Sequence, residues 1–94
     1  MNFELFDKAK EKFGLENQFV VAIEELSELQ KEITKYMRCN GNREHLIEEI
    51  SDVRIMLAQI TYFLQIQDEE ILKVIRFKLK RLAKRIEGIK DESN

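Results

Sequence analysis

The sequence predicts an all-α fold, a bundle of four helices, on three observations. The chain has no proline and only three glycines in 94 residues. Glu, Lys, Leu and Ile are abundant, and these residues suit long helices. Apolar residues recur at alternating steps of three and four, the spacing of one helical face, and no stretch shows the alternation of a strand. The length predicts a single domain spanning residues 1–94.

The elements are set by the breaks between them. The first helix is predicted over 2–13, an amphipathic segment that Gly14 ends. The second runs over 16–38, with Phe19, Ile23, Leu26, Ile33 and Met37 on one stripe and Gln30 interrupting it. Asn40-Gly41-Asn42 is the strongest turn signal, and Asn42 is a good N-cap for the third helix. That helix runs over 43–65, with Leu46, Ile50, Val53, Leu57, Ile60 and Leu64 as its core stripe. Asp68 is positioned to cap a fourth helix over 69–87, whose stripe is Ile75, Leu79, Leu82, Ile86 and Ile89. Gly88 fits a C-terminal cap, with a frayed tail from Ile89 to Asn94.

The third helix carries more apolar residues than one stripe needs. Ile47, Ile55, Met56, Tyr62 and Phe63 lie off the seam. A helix that is apolar on most sides is buried on most sides. A chain this short buries a small fraction of its surface when alone. The expectation is a homo-oligomer in which this helix also meets a second subunit.

Composition narrows the function classes. The net charge is −2 and the pI about 5.5, without the basic excess of a nucleic-acid binder. The single Cys39 cannot form an internal disulfide, which points to a reducing compartment. The N-terminus lacks the apolar core of a signal peptide, and no run approaches the length of a membrane span. These features predict a cytoplasmic protein.

The acids carry the chemistry. Residues three apart share a helix face, so Glu25 neighbours Glu28, and Glu49 neighbours Asp52. Glu28 lies thirteen residues before Gly41, and Asp52 eleven after it. An antiparallel hairpin therefore brings both pairs to similar heights. Converging carboxylates repel unless a cation neutralises them, and oxygen ligands without His or Cys favour Mg²⁺ or Mn²⁺ over zinc. Spacing alone also fits a solvated acidic face, since the chain has 18 acidic residues. Against that, Glu49 and Asp52 share a strip with Met56 and Phe63, which borders the core.

The stretch Glu24-Glu25-Leu26-Ser27-Glu28, followed after twenty residues by Glu49-Ile50-Ser51-Asp52, resembles the EExxE…ExxD signature of the all-α nucleoside triphosphate pyrophosphohydrolases. The small single-domain MazG-like members are the most similar. Asn17-Gln18 leading into Ala22-Ile23 is similar to the family's lead-in, and His45-Leu46-Ile47-Glu48 to its third-helix start. Lys78 through Arg85 is similar to its closing basic segment. The resemblance covers about residues 15–87 and implies a MazG-like bundle, dimeric or tetrameric. It implies Mg-dependent hydrolysis of (deoxy)nucleoside triphosphates to monophosphate and pyrophosphate, as in nucleotide-pool house-cleaning. Glu25, Glu28, Glu49 and Asp52 would then hold Mg (or Mn), with Glu24 as an auxiliary catalytic carboxylate. Lys78 and Arg85 would bind phosphates, and Gln18 would contact the base.

Other readings stand beside it. Phosphoribosyl-ATP pyrophosphohydrolases share the acids but usually place a Tyr-His pair after them. Here Asp52 is followed by Val53-Arg54-Ile55-Met56. Dimeric dUTPases share the acids but are substantially longer. The reading from another class is a helical interaction module with no enzymatic role, whose acids form a solvated seam.

Overall fold

The computed structural model describes residues 1–88, so the predicted tail and the stripe residue Ile89 lie outside the described residues. Four helices are present, and no strand occurs among the described residues. They are α1 (Phe3–Phe13), α2 (Leu15–Met37), α3 (Arg43–Phe63) and α4 (Asp68–Ile86). No helix among these residues is long and apolar enough to cross a membrane.

Local chemistry sets the boundaries. Asn2 caps α1 by accepting the Leu5 N–H at 3.1 Å. Gly14 ends it at φ +87°, a left-handed conformation open to glycine, and its N–H donates to the Lys10 carbonyl at 2.8 Å. Only Gly14 separates α1 from α2. At the central turn, Asn42 Oδ1 accepts from Glu44 N at 2.8 Å and from His45 N at 3.2 Å, as its sequence position predicts. Gly41 passes so close to the last turn of α2 that a Cβ there would lie 2.5 Å from Tyr36 Cα. The cap of α4 is not Asp68. Gln67 takes that place and forms a capping box with Glu70, whose Oε2 accepts the Gln67 N–H at 2.7 Å. Asp68 is instead the first residue of the helix, where its charge suits the helix dipole.

Packing is concentrated in one place. α2 and α3 form an antiparallel hairpin, and α1 leans on it. Phe3 stacks on Tyr62 with ring centroids 4.6 Å apart, and buried Phe6 meets the same ring. The Tyr62 hydroxyl donates to the Asp7 carboxylate at 2.9 Å. This bond and the partial burial of Tyr62 hold its phenol above the usual tyrosine range. α4 makes fewer close backbone contacts with the other three helices than α2 and α3 make with each other, and none of its residues is fully buried.

The core differs from the predicted one. Ile23, Leu26, Ile33 and Met37 of the α2 stripe are exposed, as are Ile50, Leu57 and Leu64 of α3. The hairpin instead buries Gln18, Ala22, Val53, Met56 and Gln59, with Glu25 and Glu49 half-buried among them. The small Ala22 lets the helices approach along this strip, which turns the more apolar stripes outward. On α4, Ile75, Leu79, Leu82 and Ile86 are exposed too.

The chain is correspondingly open. Its radius of gyration is 16.8 Å, against about 12 Å for a compact domain of this length. Its accessible surface is 7946 Å², roughly 2,000 Å² above that of a folded monomer of this mass.

Candidate metal centre

The hairpin register places three carboxylates together. Glu25 comes from the middle of α2, and Glu49 and Asp52 come from adjacent turns of α3. One oxygen from each lies within 4.8 Å of the others. Glu25 and Glu49 are half-buried and Asp52 is exposed, so the cluster sits in a rim with one side toward solvent. Gly41 and the Asn42 cap set the height at which α3 meets α2, and hence which acids face each other.

The electrostatics are those of that convergence. Burial pushes the Glu25 carboxyl above its ordinary range, the Asp52 and Glu49 charges add to it, and a hydrogen bond with Asp52 favours its protonated form. Burial also raises Glu49, followed by the charges of Asp52, Glu28, Glu32 and Glu48. Glu49 Oε2 is buried and has no hydrogen-bond partner. An unpaired buried carboxylate oxygen is costly, and a cation is the partner that would satisfy it. The donors are all hard oxygens, which fits Mg²⁺ or Mn²⁺.

The remaining predicted residues are distributed unevenly. Glu28 is not in the converging group; it is exposed and its Oε1 accepts from Lys31 Nζ at 3.3 Å, yet it lies near enough to raise Glu25 and Glu49. Glu24 is exposed on the neighbouring face of α2. Gln18 is buried two turns before Glu25 on the same face, about 10 Å along the axis. Lys78 and Arg85 are exposed on α4, outside the converging group.

Two residues escape a reading of the motif alone. The Glu32 side chain is only 12% exposed, pairs with Lys35 at 3.3 Å and contributes to the raised Glu49. It lies seven residues after Glu25, so the face-sharing spacing was its signal. Gln59 is buried with an unpartnered Oε1. It lies seven residues after Asp52, as Gln18 lies seven before Glu25. In an antiparallel hairpin both displacements run the same way, so the two glutamines form a polar layer two turns from the acids.

A cleft elsewhere, lined by Phe3, Ala58, Tyr62, Gln65 and Asp68, includes none of the converging acids. No protein-family model, curated protein or solved structure matches the chain.

Proposed function

We propose that this chain is a Mg-dependent nucleoside triphosphate pyrophosphohydrolase with a MazG-like bundle that works as a homo-oligomer. The observation that carries the reading is the convergence of Glu25, Glu49 and Asp52 within 4.8 Å, with Glu49 Oε2 left unpaired. The resemblance of residues 24–28 and 49–52 to the EExxE…ExxD signature supports it further.

Each residue then has a role. Glu25, Glu49 and Asp52 supply the oxygens that hold Mg²⁺ or Mn²⁺, and Glu28, released from Lys31, is the fourth. The bound ion supplies charge neutralisation for the triphosphate and lowers the pKa of coordinated water. Glu24 orients the attacking water. Water adds to the α-phosphorus, the bond to the bridging oxygen breaks, and pyrophosphate leaves a nucleoside monophosphate behind. Lys78 and Arg85 bind phosphate oxygens, and Gln18 contacts the base. Such chemistry rests on positioning and charge stabilisation, so it needs no covalent nucleophile.

One observation favours a second reading. The uncovered stripe of α4 suits a helical interaction module without catalysis. A pyrophosphate-release assay over ribo- and deoxyribonucleoside triphosphates with Mg²⁺ separates the two. Activity on at least one substrate is expected, lost in folded Glu49→Gln and Asp52→Asn variants. A folded wild type that is inactive on the whole panel, with a melting temperature insensitive to Mg²⁺, refutes the enzyme reading.

A further inference from the structure

Glu25, Glu49 and Asp52 converge, and Glu28 does not. Distance is not the reason, since the Glu28 charge acts on both Glu25 and Glu49. A lysine holds it aside: Glu28 Oε1 accepts from Lys31 Nζ at 3.3 Å. Three converging carboxylates repel a fourth, and an ammonium one turn along the same helix gives that fourth acid a partner.

The pair is built to be given up. Lys31 and Glu28 are 64% and 50% exposed, and an ion pair in such a setting contributes little. The next pair along α2 differs. Lys35 bonds Glu32 at the same 3.3 Å, but the Glu32 side chain is only 12% exposed. Lys31 is therefore the cation at this rim whose partner can be recruited elsewhere.

Position says what a released Lys31 would meet. Gln18, Glu25 and Lys31 follow one another along α2, seven and six residues apart. These steps are about 10 Å and about 9 Å along the axis. With the base at Gln18 and the α-phosphorus at the acids, the remaining phosphates run on toward Lys31. Helical side chains lean toward the N-terminus, so the Lys31 stem leans back toward the acids. Its ammonium is a compact charge with three donors on a flexible stem, which suits a phosphate end that must bind and leave.

We propose that Lys31 is the counter-ion that Glu28 exchanges for a divalent cation, and that the released ammonium binds the pyrophosphate end of the substrate. The phosphate role rests on the triphosphate reading above; the competition for Glu28 rests on the acid cluster alone. The exchange couples the two ligands. Phosphate on Lys31 leaves Glu28 to the ion, and the ion on Glu28 leaves Lys31 to phosphate, so each tightens the other.

Calorimetric titration of the full chain with Mg²⁺ alone, then with inorganic pyrophosphate at saturating Mg²⁺, tests both halves. Lys31→Ala should lower the Mg²⁺ Kd about two- to five-fold, the worth of an exposed ion pair. The same substitution should raise the pyrophosphate Kd about tenfold, the loss of a hydrogen bond between charged groups. A merely structural surface pair does not give these opposite signs. Lys31→Arg should recover most of the pyrophosphate affinity. Lys35→Ala, one turn further on, should change neither constant, and in a Glu28→Gln background Lys31→Ala should no longer tighten Mg²⁺. Circular dichroism confirms that each variant is helical. An unchanged Mg²⁺ Kd in Lys31→Ala overturns the exchange, as does tightening that persists without Glu28 or appears equally in Lys35→Ala. An unchanged pyrophosphate Kd overturns the phosphate role. A chain that hydrolyses no triphosphate, yet shows the Glu28-dependent tightening, removes the triphosphate reading and leaves the competition. An active chain in which Lys31→Ala alters neither constant removes the exchange and leaves the catalytic reading.

Discussion

Replacing Gly41 with Ala tests the turn that sets the acid register. The added Cβ would lie 2.5 Å from Tyr36 Cα, 2.7 Å from its nitrogen and 2.9 Å from its Cβ. Two of these neighbours are backbone atoms in the last turn of α2, so no side chain can swing aside to make room. Forcing an extra carbon into such a space costs about 1–3 kcal/mol. Each kcal/mol shifts Tm by about 4–8 °C in a domain of this size. A loss near 2 kcal/mol thus lowers Tm by about 8–16 °C. Relief comes by moving the start of α3 away from α2, which changes the height of Glu49 and Asp52 against Glu25. The Mg²⁺-dependent rise in Tm should therefore shrink along with the baseline, since a ligand stabilises only through the folded state that binds it. Thermal melts of wild type and Gly41→Ala, each with and without Mg²⁺, measure both effects. A variant within about 2 °C of wild type, with an undiminished Mg²⁺ response, refutes the argument that this close approach fixes the hairpin.

The core and the carboxylates yield two further expected outcomes. Met56 is one of few buried apolar side chains, so Met56→Ala should cost about 2–5 kcal/mol, a large share of the roughly 5–14 kcal/mol total for a chain this long, as read by denaturant melts. Glu25 has a raised carboxyl pKa, so in the folded chain it binds its proton more tightly than the ordinary value of 4.5 allows. The stabilisation from that proton is fully present below the ordinary value and is lost as pH rises through the raised one. Glu25→Gln should therefore be more stable than wild type near pH 7 in EDTA, with the gap closing as pH falls towards 4.5; a gap that does not change with pH refutes the assignment.

Much of the architecture was legible because helix boundaries are local. Asn42, Gly14 and the Gln67–Glu70 box act through atoms a few residues apart, and the predicted ends fall within two residues of the observed ones. The one capping error, Asp68 for Gln67, is a shift of a single residue. The acids were legible for a related reason: spacing along two helices and distance from a turn determine height, and three of the four predicted ligands do converge. Which face of a helix is buried is not a local property. The Leu- and Ile-rich stripes gave the strongest pattern, yet the hairpin closes over Ala22 and two glutamines. Hydrophobic periodicity says that a face needs cover and is silent on what provides it. Glu32 and Gln59 escaped because a motif weights matched positions and ignores their neighbours one or two turns along.

The uncovered stripe of α4 also sets an order of events. Most close backbone contacts among α1, α2 and α3 are between consecutive elements, with α1 also reaching α3 at Tyr62, and the turns joining them are short. Such low contact order lets a helical chain fold within microseconds to milliseconds. Nothing in that fast stage covers Leu79, Leu82 or Ile86. In the proposed homo-oligomer, their burial would be a later, bimolecular event whose rate rises with concentration. Newly made chains would then pass through an interval in which a finished hairpin carries an uncovered cationic helix, and dilution would prolong that interval.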